Sequence, residues 1–162
     1  MSTKVFQWVS PYSGADVYGH SLVTAGGVTT AEPGLLAVLD FAGNTASLAG
    51  ASGSKPFGFF YGTRDLVYAP TTKIYAAGEA INVLTGHGFV EVSADFFSSG
   101  SLPTEAAAQR NVYAAASGKM TLDTGTNAIG RLIDIKSFYD GTGGTGTAVN
   151  VALIEFDFGG TF

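Results

Sequence analysis

Apolar residues in this chain come in short runs, each cut off by glycine, proline or a cluster of small polar residues. Pieces of that length suit strands rather than helices. Gly34 to Phe41 is an apolar run closed by Ala42-Gly43-Asn44-Thr45, a turn signal. Pro56 to Gly62 is a second run, dense in aromatic residues. From Glu79 to Thr85 the chain alternates, with Ala80, Asn82 and Leu84 on one side and Ile81, Val83 and Thr85 on the other. Gly86-His87-Gly88 then predicts a tight turn back into Phe89-Val90-Glu91-Val92, a β-hairpin.

Asn111 to Ala115 and Ser117 to Leu122 predict a second hairpin. Ile129 to Ile135 reads as a strand with Ile129, Ile133 and Ile135 on one face. Ala148 to Phe158 begins apolar on both faces, which predicts a central strand. Gly141 to Gly146 is too rich in glycine to hold one conformation cheaply and reads as a loop. Only Thr104 to Arg110, after Pro103 and opened by an N-cap threonine, predicts a helix, and a short one. The sum is an all-β domain of roughly eight to ten short strands, a small barrel or sandwich with at most one short helix.

The two halves of the pattern, about 34–92 and 111–158, rhyme. Each reads strand, glycine turn, strand with an apolar-glycine step (Phe57-Gly58 and Ile129-Gly130), long loop, then Ala80-Ile81-Asn82-Val83 or Ala148-Val149-Asn150-Val151. A glycine inside a strand marks a bulge, a bend or the close approach of another backbone. Either the halves are pseudo-repeated units that close a barrel together, or two Gly- and Ala-rich β segments resemble each other by chance.

Composition narrows the class. A chain of 162 residues makes one domain or two small ones. Charged residues are 13%, half the usual share of roughly 25%, and glycine is twice as frequent as usual with 23 residues. With no cysteine, disulfides and thiolate metal sites are excluded. Eight Lys and Arg against thirteen Asp and Glu cannot build a broad phosphate-binding face, so no direct nucleic-acid partner is expected. No apolar run is long enough for a membrane span, and Met1 to Ser10 does not read as a signal peptide. So few charges suggest a surface covered in part by other proteins, because interface cores are depleted of Lys, Glu and Asp.

Candidate chemistry is sparse. His20 lies in the irregular N-terminal part and His87 between two glycines at the expected hairpin tip, where a solvated role outweighs a catalytic one. Ser52-Gly53-Ser54 has no helix behind it, so it is not a nucleophile elbow. Asp134, Asp140, Glu155 and Asp157 are the acids that could converge on a cation, but the spacing matches no calcium loop. No catalytic residue, metal or cofactor is therefore expected. Phe57, Phe59, Phe60, Tyr61, Phe89, Phe96 and Phe97 read as a barrel core. Residues 1–30 read as an N-terminal arm before a single domain at 31–162. Its aromatic residues Phe6, Trp8, Tyr12 and Tyr18 are candidate partner contacts, with an arm folded back as an edge strand as the other reading.

Several of these features together resemble the decoration (cement) proteins of tailed-bacteriophage capsids. They are Glu32-Pro33-Gly34-Leu35-Leu36 opening a strand, Pro56-Phe57-Gly58-Phe59, and Gly78 to Val83. The clearest are Asn111-Val112-Tyr113-Ala114, Gly118-Lys119, Ile129-Gly130-Arg131-Leu132, and Val149 to Leu153. The resemblance spans residues 30 to 158, and the segments Asp95–Arg110 and Ser137–Gly146 are longer than that family needs. It implies a β-tulip-like barrel, made in the host cytoplasm, that trimerises on the outer surface of the virion shell. The implied partners are the major capsid protein and further copies of the chain. The other reading left open is a receptor- or carbohydrate-binding β module of a virion fibre or cell surface.

Overall fold

A computed structural model of the protein describes residues 4–9, 15–18, 23–24, 31–61, 75, 77–139 and 148–159. Eleven strands are present among them: β1 Phe6–Trp8, β2 Ala15–Tyr18, β3 Val23–Thr24, β4 Leu36–Asp40, β5 Thr45–Leu48, β6 Gly58–Tyr61, β7 Asn82–Val92, β8 Asn111–Ala114, β9 Met120–Thr121, β10 Ala128–Tyr139 and β11 Ala148–Asp157. They form a curled, almost wholly antiparallel sheet with a barrel-like shape, so the all-β expectation holds. Three of the strands are ten to twelve residues long, rather than short throughout. The stretch expected to be helical makes a single 3-10 turn, Glu105–Ala107, and Thr104 makes no side-chain cap bond. A run that short cannot repay the cost of nucleating an α-helix.

Strand β7 organises the sheet. Leu84 lies between Val17 of β2 and Phe59 of β6, and Val92 lies between Phe6 of β1 and Ala152 of β11. The hairpin expected at Gly86-His87-Gly88 does not exist, because the chain runs straight on from Asn82 to Val92. Gly86, at φ +86°, supplies a bend where β7 passes from one set of partners to the other. The glycine pair was a sound signal for an unusual backbone, but the partners on both edges make it a corner. The boundary expected at residue 30 also fails for the described residues. β1 and β2 pair with β7, and β3 pairs with β5, so these segments are strands of the same sheet.

Outward from the β7–β11 pair, the order is β6, β4, β5 on one side and β10, β8, β9 on the other. Each flank carries a hairpin, β4–β5 or β8–β9, and β3 adds a parallel strand outside β5. The inner strand of each flank carries a glycine that admits no side chain. A Cβ on Gly58 would lie 2.2 Å from the Leu84 carbonyl oxygen, and one on Gly130 would lie 1.9 Å from that of Glu155. The two apolar-glycine steps therefore do the same job in corresponding strands. The tetrapeptide rhyme does not correspond: Phe60, two residues after Gly58, pairs with Val83, while Leu132, two after Gly130, pairs with Ile154 rather than Val151.

The concave side is filled by aromatic rings. Phe59 sits 5.3 Å from Phe6, 5.5 Å from Phe156 and 5.2 Å from Phe158, ring centre to ring centre. Phe59, Phe60, Phe96 and Phe97 are buried as expected, while Phe57 and Tyr61 pack partly against the core. In β10 the isoleucines do not share a face. The register shifts between Leu132 and Asp134, so Ile129 and Leu132 are buried while Ile133 and Ile135 are half-buried. The far flanks meet where Gly118, at φ +72°, donates its N–H to the Ala49 carbonyl at 2.7 Å. There is no room for a side chain there either, with Leu48 Cδ2 2.9 Å and the Leu36 carbonyl oxygen 3.0 Å from the Cβ position.

Gly58→Ala and Gly130→Ala are each expected to destabilise the fold by about 3 kcal/mol or more, the upper range for overpacking, because a carbonyl in a paired strand cannot step aside. Urea unfolding followed by circular dichroism measures this; a loss under about 1 kcal/mol at either position would contradict the close approach.

Candidate functional site

The residues singled out in the N-terminal segment divide. Phe6 is buried at 2% exposure, and its ring packs on Phe59 and Phe96. Gly34 makes the room: a Cβ there would lie 2.4 Å from Phe96 Cε1 and 2.8 Å from Phe6 Cγ. The strand is tied on both sides of this ring. Val5 N–H donates to Ser93 Oγ at 3.0 Å, Ser93 N–H to the Val5 carbonyl at 2.8 Å, and Val9 N–H to the Phe89 carbonyl at 2.9 Å. Lys4 pairs with Glu32 and holds its ammonium 5.1 Å over the Phe96 ring. Phe6 is thus a core residue and not a partner contact. Phe6-Gln7-Trp8 alternates as a strand would, but three residues are too short a run for periodicity to assign a buried face.

Trp8 is half-buried and meets Tyr61 edge-on at 6.1 Å, so it too is committed largely to its own domain. Its indole Nε1 is buried without a hydrogen-bond partner among the described residues. Tyr18 pairs with Val83 through the backbone of β2. Tyr12, His20, Asp140 and the Gly141–Gly146 stretch lie outside the described residues.

The strongest constellation of polar side chains was not expected from the sequence. It lies on the face of the sheet opposite the core, where alternation places His87, Phe89 and Glu91 of β7 beside Asp157, Glu155 and Leu153 of β11. Glu155 Oε1 is 2.9 Å from His87 Nε2, and its Oε2 accepts from Arg131 Nε of β10 at 2.5 Å. Lys136 Nζ of β10 lies 3.7 Å from Glu91 Oε1. Two polar links therefore run from β7 to β10 over β11, His87–Glu155–Arg131 and Glu91–Lys136, with Phe89 and Leu153 between them. Partial burial by itself would raise the Glu155 carboxyl, but the hydrogen bonds from His87 and Arg131 and the Arg131 charge outweigh it and hold it below the ordinary carboxylate value.

A histidine oriented by a carboxylate is half of an acid–base device, but no hydroxyl hydrogen-bonds to His87 among the described residues. Of the four acids singled out as possible cation ligands, Asp140 lies outside the described residues, and the other three are engaged separately: Asp134 accepts from Ile135 N–H, Asp157 from Gly159 N–H, and Glu155 is held as above. Among the described residues no group of three His, Asp or Glu side chains is placed to share a metal ion. The one exposed large apolar side chain among them is Phe41, 61% accessible at the β4–β5 turn, with Phe57 edge-on at 5.6 Å.

No family model, curated protein or solved structure matches the chain.

Phe6→Ala should cost about 3–5 kcal/mol, the range for truncating a buried phenylalanine, and show itself in unfolding whether or not any partner is present. A variant as stable as the wild type would return Phe6 to the partner contacts. The Glu155 link gives a pH signature. With its folded-state pKa below the ordinary 4.5, the carboxylate stabilises the fold above that pH, and the contribution is lost as pH falls through the lower, folded-state value. Glu155→Gln should therefore be less stable than wild type by about 1 kcal/mol or less at pH 7, with the gap closing in acid, as read from urea midpoints across a pH series. A gap that widens in acid would reverse the assignment.

Proposed function

We propose that the chain is a virion structural protein. It binds the outer surface of a phage capsid as an oligomer and cements neighbouring major capsid subunits. The observation that carries this reading is the resemblance to capsid decoration proteins in the glycine-bearing strand pattern, clearest from Asn111-Val112-Tyr113-Ala114 through Ile129-Gly130-Arg131-Leu132 and Val149 to Leu153, with Pro56-Phe57-Gly58-Phe59 beside it. Two properties support it. The domain is all-β and curled on an aromatic core, and its charge is low enough to suit a surface given over to protein contacts. The partners are the major capsid protein and other copies of this chain, most simply as a homotrimer. Three joined copies then engage three shell sites, and weak single contacts add to strong attachment.

A receptor- or carbohydrate-binding module is the second reading, favoured by the exposed ring of Phe41. The two differ in what the protein binds and in which residue matters. Co-sedimentation with expanded, undecorated cognate capsids should succeed on the first reading, with a native mass of three chains for the free protein. Deleting the first twelve residues is no test of the arm, because it removes the core ring of Phe6. Tyr12→Ala and Tyr18→Ala are the variants to use, with a circular-dichroism check of folding, and weaker capsid addition is expected from either. A folded wild-type protein that leaves capsids bare, yet binds glycans through Phe41, would establish the second reading instead.

A further inference from the structure

Strands β10 and β11 stay paired out to Tyr139 and Ala148, past the ends of the strands beside them. β7 reaches β11 only at Ala152, and β8 pairs with β10 only from Ala128 to Arg131. The last bonds on the outer edge of β10 are Leu132 N–H to the Arg110 carbonyl at 2.9 Å and Gln109 N–H to the Leu132 carbonyl at 2.7 Å. From Ile133 to Ser137 that edge has no strand partner among the described residues. Such an edge is a template for another strand. Its state is visible at Ile135, whose N–H donates to the carboxylate of its own neighbour, Asp134 Oδ1, at 2.8 Å. A side chain here occupies a donor that a ladder would otherwise use.

The side chains along this edge are ordered so as to complement themselves. Asp134, Lys136 and Ser137 are exposed, and Lys136, 46% accessible, reaches Glu91 only at 3.7 Å. We propose that the Ile133–Ser137 edge docks a second copy of the chain, β10 against β10, antiparallel about a two-fold axis at Ile135. That register sets Asp134 of each copy directly opposite Lys136 of the other, and Ile133 opposite Ser137. Directly opposed residues lie on one face about 5 Å apart, so two reciprocal ion pairs form. The neighbouring two-fold registers are repulsive: an axis at Asp134 faces it with itself, and an axis at Lys136 does the same to the lysine. As Asp134 swings to the lysine, the Ile135 N–H is released for the backbone of the second copy. The contact is short beside the roughly 1,200 Å² of a stable interface, so the pairing is weak and rises with concentration.

Sedimentation velocity of the full chain over a concentration series tests this, with wild type, Asp134→Lys, Lys136→Asp and the double swap. Wild type should reach even multiples of its starting unit, two chains from one, or six if the free protein is a trimer. Each single reversal sets like charges opposite each other and should weaken that step at least tenfold. The double swap restores opposite charges and should recover the association to within about threefold. Circular dichroism confirms that all four are folded. Equal association in all four proteins, or a wild type that never doubles, overturns the proposal. Capsid addition is read in a separate assay, so its failure is not confused with failure of the edge.

Discussion

Nearly everything in this fold depends on β7 being hydrogen-bonded along both edges. It is shared by four strands, two on each side, and Gly86 bends it where one pair gives way to the other. A backbone committed on both edges cannot slip register without turning its apolar side chains to the wrong face. Val83, Leu84, Val90 and Val92 are all fully buried, and each is held by that pairing. The curl follows, because a sheet bent at its central strand brings its two flanks round toward each other.

Close approach rather than bulk sets how tightly the curl closes. Gly58 and Gly130 let neighbouring backbones come nearer than a methyl group allows, and Gly118 seats one flank on the other. Gly34 does the same for rings, leaving room for Phe6 against Phe96. The high glycine content is therefore not only a matter of turns. Each such position loses more conformational entropy on folding than any other residue would, and gains a contact that no other residue permits.

The two faces of the central strands do different work. The inner face is aromatic and aliphatic, with Phe59 in contact with Phe6, Phe156 and Phe158. The outer face carries polar and charged side chains linked across strands: Arg131 and His87 on Glu155, and Lys136 near Glu91. Among the described residues, the exposed stretches Ala51 to Ser54 and Ser98 to Ser101 are built from small residues. A surface of that kind needs little desolvation of charge to be covered by another protein.

The amino-acid order by itself determined the class, the strand at each apolar run and the turn at Ala42-Gly43-Asn44, where Asp40 caps two backbone N–H groups. It also marked Gly58 and Gly130 as special, because a glycine weakens an apolar strand unless a bend or a close backbone requires it. These are local properties, written in spacing and in the conformations each residue allows. Whether Gly86-His87-Gly88 turned or continued, which face took Ile133, and whether Phe6 was free or buried were decided only by tertiary pairing. The same holds for the row of His87, Glu155 and Arg131, which come from three strands distant in sequence. Non-local hydrogen bonds and ring packing settle such questions, and no window of neighbouring residues contains both partners.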